Sequence, residues 1–184
     1  MWLHYSRNPL QHSELVSKNQ TDQTDEYNPY HKPKGLWITD DSEYNWERWV
    51  REEDFCTEKF VCKSQIDLDL TDIHWIKNLR QFDAFNKKFS METKALGLPR
   101  LVDKTINWQL VASHYKGVII TPYQGQRRLN RNCNWYYGWD VASGCIWNIS
   151  AVRSCAYLGK ADYGPRRDAL GSLLTQYKEQ AECT

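Results

Sequence analysis

Gly35-Leu36-Trp37-Ile38-Thr39 is a short apolar run that ends at Asp40-Asp41-Ser42. Tyr44 to Phe55 follows, with Trp46, Trp49 and Val50 at helical spacing among Glu and Arg. Aromatic and β-branched side chains in the run predict a buried strand. The Asp-Asp-Ser tract offers side-chain oxygens to the first unpaired N–H groups of a helix. Strand, tight turn and helix over 35–55 form the unit around which the rest is arranged.

On its N-terminal side, residues 1–6 (Trp2, Leu3, His4, Tyr5) read as a short strand, and 7–34 as a polar, breaker-rich loop with one helical turn. On its C-terminal side, Lys59–Lys63 and Gln65–Leu70 read as two strands; Ile66, Leu68 and Leu70 alternate with polar residues, the period of a half-buried strand. Ile73, Ile76, Leu79, Phe82 and Phe85 recur at helical spacing from Asp72 to Phe89, and Ile106–Tyr115 predicts another helix. Gly117–Thr121, Trp135–Trp139 and Gly144–Asn148 read as β, separated by a loop with Arg127, Arg128, Asn130 and Arg131. Arg166–Glu182 predicts an amphipathic helix with Leu170, Leu173, Leu174 and Tyr177 on one face. The expectation is a single domain over 1–184.

Composition narrows the function classes. The chain has 184 residues, with 24 Lys+Arg against 23 Asp+Glu. That balance argues against a dedicated duplex-DNA binder, which needs a basic excess. With 9 Trp, 11 Tyr and 5 Phe, the chain either packs a core of large residues or lines a site that stacks on flat ligands. No apolar run reaches the ~20 residues that cross a bilayer. Residues 1–5 lack the charged and apolar regions of a signal peptide, so the expected location is cytoplasmic, with no membrane partner. The six cysteines read as free thiols; the closest pair is Cys56 and Cys62, and neither CxxC nor HExxH is present, so no metal is expected. Phosphate-binding P-loop and Rossmann glycine patterns and the GxSxG elbow are missing too.

Three segments remain, and their order matters. Leu3-His4-Tyr5-Ser6 opens the chain. Gly35-Leu36-Trp37-Ile38-Thr39 precedes a capped helix. Tyr115-Lys116-Gly117-Val118 comes late, followed by Trp139-Asp140-Val141-Ala142-Ser143-Gly144-Cys145-Ile146-Trp147-Asn148 and Ile149-Ser150-Ala151-Val152. In this order they resemble the ADP-ribosyltransferase fold of the His-Tyr-Glu group. The resemblance implies an α+β fold of split β-sheets with flanking helices. It also implies NAD as co-substrate, cleavage of the nicotinamide–ribose bond, and transfer to a macromolecular acceptor. His4 matches the ribose-binding histidine, with Tyr5 and Ser6 beside it. Trp37 falls where an aromatic stacks near nicotinamide, with Thr39 on the same strand. The family's catalytic glutamate would fall near Ser143 or Gly144, neither of which is acidic; Asp140 is the candidate carboxylate, with Ser143 beside it. Two phosphates need cations, and His31, Lys32, Lys34, Arg127, Arg128 and Arg131 are candidates, Arg127 foremost. The 139–147 segment also resembles uncharacterised phage and mobile-element proteins, which assigns no function; toxin, defence factor and phage effector are the settings left open.

The acceptor is a protein or a single-stranded nucleic acid, the latter through aromatic stacking and the Arg127–Arg131 loop; near-zero net charge favours a protein. The missing glutamate motivates an alternative from another class, a non-catalytic nucleotide- or nucleic-acid-binding module on the same fold. A third reading is an aromatic-rich domain that binds bases or sugars without NAD. Each residue also has an ordinary reading: Trp37 as core, Asp140 as a turn cap, the arginines as a solvated face. Trp46 and Trp49 read as core packing.

Overall fold

A computed structural model describes residues 1–24, 32–42, 44–53, 55, 57–92 and 104–163. The strands are β1 (Trp2–Ser6), β2 (Leu36–Asp40), β3 (Cys62–Leu68), β4 (Ile73–Ile76), β5 (Ser90–Glu92), β6 (Lys104–Ile106), β7 (Gly117–Ile120), β8 (Ser143–Ile146) and β9 (Val152–Lys160). The helices are α1 (His12–Leu15), α2 (Trp46–Glu53), α3 (Leu79–Phe89), α4 (Trp108–Ala112) and α5 (Gly125–Arg128). The fold is α+β: seven strands join in the order β4-β7-β8-β2-β1-β3-β9, and β5 with β6 forms a separate ribbon. Every pairing is antiparallel except β4 with β7.

The middle of the sheet reads from its side chains. β7 (Gly-Val-Ile-Ile) and β8 (Ser-Gly-Cys-Ile) are buried along their whole length, because both faces of the sheet are covered. One face packs Val118, Ile120, Cys145 and Trp147 against Phe82, Phe85 and Phe89 of α3, Trp108 and Val111 of α4, and Trp135, Tyr136 and Trp139. The other packs Ile119, Ile146, Leu36, Ile38 and Ile66 beneath Leu10 and Leu15. All the buried aromatic residues described except Tyr5 therefore serve the first layer; Phe82 lies parallel to Trp135 with centroids 5.2 Å apart. Gly35 enters β2 with φ +150°, and a Cβ there would collide with the Ile146 carbonyl, so only glycine lets the chain lie against β8.

One seam in the sheet is short. β1 pairs with β3 from Trp2 to Ser6, and β2 pairs with β8 from Leu36 to Thr39. Yet β1 and β2 pair only at Trp2↔Asp40 and Leu3↔Thr39. Beyond Leu3 each strand follows its outer neighbour and the two diverge.

Several boundaries differ from the sequence reading. Residues 62–68 form one strand rather than parts of two. Ile73–Ile76 is a strand beside β7, not the start of a helix; α3 begins only at Leu79, after Asn78 Oδ1 accepts the Gln81 N–H at 2.9 Å. Trp135–Trp139, expected to be β, is not a strand: Trp135 and Tyr136 are the buried end of a 3-10 helix over Arg131–Tyr136, and a turn follows. The ribbon β5–β6 and the long edge strand β9 were not expected. The helix expected at 166–182 lies outside the described residues, as do His31, Cys56 and Cys183. Cys62, Cys133, Cys145 and Cys155 are not in disulfides. Among the described residues no helix is long and apolar enough to cross a membrane.

Candidate functional site

The divergence of β1 and β2 opens a cavity of about 380 Å³, within the range of small-ligand sites. Leu3, His4 and Tyr5 line it from β1, and Trp37, Ile38 and Thr39 from β2, with Gly35 just before that strand. Trp139, Asp140, Val141 and Ser143 close it from the turn into β8. Trp46 of α2, Phe60, Lys18 and Lys32 complete the wall.

His4 replaces a missing ladder bond. Continued in register, the β1–β2 ladder would set Tyr5 opposite Trp37. Instead the His4 ring donates from Nδ1 to the Trp37 carbonyl at 2.7 Å. A carbonyl only accepts, so this bond fixes the tautomer and leaves Nε2 as an acceptor. Burial pushes the His4 pKa below its ordinary value, against the Trp37 bond, and Lys18 adds to the lowering. The ring is therefore neutral at neutral pH. Tyr5 donates its hydroxyl to Glu47 Oε2 at 2.8 Å, and Lys63 Nζ meets the same oxygen at 2.6 Å. Burial and that carboxylate raise the Tyr5 pKa far above the phenol range, so the group is held protonated.

Trp37 packs edge-on against Trp139, centroids 4.8 Å apart, and the Lys32 ammonium sits 5.3 Å from its ring centroid. The Lys32 pKa is lowered by burial, with Asp140 opposing. Asp140 is half-buried, and its Oδ1 accepts from Arg128 Nη2 at 2.8 Å. Burial raises its pKa; Lys32 and Arg128 pull it back, and Glu53 pushes it up further. The turn that carries Asp140 is held by β2, where the Thr39 hydroxyl donates to the Ala142 carbonyl at 2.7 Å.

Of the residues singled out from sequence, His4, Tyr5, Trp37, Thr39, Asp140 and Ser143 all line this one cavity. Ser143 donates its hydroxyl to the Val141 carbonyl at 3.0 Å, and no base contacts it among the described residues. Ser6 does not line the cavity; its hydroxyl donates to the Asn8 carbonyl at the surface. Arg127 does not line it either. It spends Nε and Nη2 on both oxygens of Asp83, at 2.8 and 2.7 Å, and anchors α5 to α3. Two other named cations do reach the site: Lys32 in the wall and Arg128 behind Asp140. Lys18 was not anticipated, since a lysine in a polar loop carries no signal of where the loop folds. Trp46, expected in the core, is half-buried and lines the cavity.

The arrangement supplies aromatic walls, a neutral imidazole acceptor, two lysines and one carboxylate beside an apolar floor. Such a cavity can hold a flat ring, a hydroxylated sugar and an anionic group, and set a negative charge against a developing positive one. Among the described residues no group of three His, Cys, Asp or Glu side chains is placed to hold a metal ion. No family model, no curated protein and no solved structure matches the chain.

Proposed function

We propose that the chain is an ADP-ribosyltransferase-like enzyme that splits the nicotinamide–ribose bond of NAD and passes the ADP-ribosyl group to a macromolecular acceptor. The observation that carries this reading is the meeting of His4, Trp37 and Asp140 around one cavity at the β1–β2 seam. In the reaction the C1′–N bond breaks and its electron pair leaves on nicotinamide. The acceptor atom then bonds to C1′ and gives up its proton to solvent. Between these events the ribose carries positive charge, which a fixed carboxylate stabilises most in a water-poor site. Asp140 supplies that carboxylate. His4 Nε2 accepts from a ribose hydroxyl, the Trp37 and Trp139 walls hold the ring, and Lys18 and Lys32 face the diphosphate.

One observation favours a second reading. Arg128 and Lys32 flank Asp140, and cations there offset the charge that the reaction needs. A nucleotide-binding module without catalysis would tolerate such an arrangement. Nicotinamide release by the wild type and by Asp140→Asn, with NAD binding measured in parallel, separates the two. The enzyme reading expects release by the wild type, slowed about 100-fold or more in the variant, with NAD still bound. Binding without release leaves the module. No NAD binding removes both.

A further inference from the structure

Arg127 and Arg128 are neighbours in α5 with opposite engagements. Arg127 closes its whole guanidinium fork on both oxygens of Asp83, a half-exposed carboxylate. Arg128 gives only Nη2 to Asp140, which is the more buried partner, and its Nε is buried with no hydrogen-bond partner. Stability alone would favour the reverse, because an unmet donor costs most where water is excluded. The half-used fork leaves the second oxygen, Oδ2, of this cavity-lining aspartate without a hydrogen bond among the described residues.

Resting on the reading of the cavity given above, we propose that Arg128 is a positioning residue, which grips one oxygen of Asp140 from behind, keeps the carboxylate ionised and leaves the other oxygen to the ligand. Three features make this specific. α5 is a fixed base, since Arg127 ties it to α3 and the Gln124 N–H donates to the Tyr136 hydroxyl at 3.1 Å. A half-buried carboxylate beside an apolar cavity tends to take up a proton, and a neutral acid does nothing for a developing cation. A bidentate grip would prevent protonation but consume both oxygens; a single-handed one does not. Among the described residues the other charged or titratable groups in range are Lys32 before β2, Glu53 at the end of α2 and Tyr123 before α5. Lys32 helps to keep Asp140 ionised, whereas Glu53 opposes it.

The test is a carbon-13 NMR titration of the Asp140 carboxyl in the ligand-free protein. Arg128→Gln is expected to raise its midpoint by about one pH unit or more, and Arg128→Lys, which keeps the charge, by less. In nicotinamide release, Arg128→Gln should lower kcat about tenfold at pH 6 and recover most of it at pH 9, with KM changed less than about threefold. A simple packing defect would not be rescued by alkali. A midpoint unmoved in Arg128→Gln overturns the proposal. If that variant fails to fold, the wild-type Arg128 Nε and Nη signals must shift with the same midpoint as the Asp140 carboxyl, and signals indifferent to it overturn the proposal equally. A wild type that shows the carboxyl coupling but binds no NAD sinks the NAD reading alone.

Discussion

His4 concentrates the logic of the site in one ring. Its Nδ1 is spent on the Trp37 carbonyl, so the chain uses a side chain to close the ladder that β1 and β2 abandon, and gains an acceptor at Nε2. The same burial makes His4 a liability in acid. Its folded pKa lies below the ordinary 6.5. As pH falls through about 6.5 the unfolded chain binds a proton that the folded ring refuses, so stability present at neutral pH is lost progressively toward the lowered folded value. His4→Gln keeps a donor for Trp37 but removes the titration. Its melting temperature should fall less than the wild type's between pH 7.5 and pH 5, although some slope persists because burial lowers the His74 pKa too. An equal slope in both proteins would show that His4 is not the group responsible. His4, Trp37 and Asp140 were singled out by the order of their segments and the resemblance it carries, not by any property of the single residues, and all three line one cavity. The sequence did not separate Arg127 from Arg128. Adjacent residues of one helical turn differ in which carboxylate they meet, and that depends on where α3 and the turn before β8 fold.

At the scale of elements, the strongest local dependence is on Trp147. It follows β8, is fully buried, and donates from Nε1 to the Tyr115 carbonyl at 2.7 Å. The Trp147 N–H and the Asn148 N–H both donate to the Lys116 carbonyl. Trp147→Ala opens a large hole beside Trp108 and removes the donor to the Tyr115 carbonyl, so it should cost about 3–5 kcal/mol in denaturant unfolding. A loss below about 1 kcal/mol would mean that the layer collapses around the gap. Legibility differed among elements for physical reasons. β1, β2 and β7 stood out because apolar or β-branched runs ended at polar or proline breakers. β4 is only four residues, and its Ile73 and Ile76 happen to keep step with Phe82 and Phe85, so the helical period ran back across the Asn78 cap. Trp135–Trp139 read as a strand because it is an aromatic-rich run, and aromatic enrichment alone does not fix backbone period. β9 lies at the sheet edge with few buried side chains, so it shows no alternation that would announce it. The α+β class was readable; the antiparallel pairing and the register that splits β1 from β2 were not, since no residue at Leu3 or Thr39 signals where pairing stops.

For the whole molecule, the consequence of that split is a cavity whose walls belong to elements far apart in sequence. β1 and β2 sit on either side, Lys18 and Lys32 come from the loop between them, and the Asp140 turn arrives from the other end of the chain. A ligand seated there adds a link across a seam where β1 and β2 share two ladder pairs and the His4–Trp37 bond. Binding to the folded chain alone stabilises it by about 2.7 kcal/mol at a hundred times the dissociation constant. For a chain of this size that corresponds to a rise of about 5–10 °C in melting temperature. NAD should give a rise of this order. Adenine nucleotides lacking the nicotinamide ribose should give less, because they leave the His4, Trp37 and Asp140 side of the cavity unfilled. The comparison also separates the readings at molecular scale. Equal stabilisation by NAD and by simple mononucleotides would point to a site that recognises bases alone, as an aromatic-rich base-binding domain does. No stabilisation by any of them would mean that the seam is a structural opening rather than a ligand site. Stabilisation by NAD that survives Asp140→Asn but fails in Trp37→Ala would assign holding to the aromatic wall and leave the carboxylate to the reaction, the division of labour expected if affinity and bond cleavage rest on different sides of one cavity.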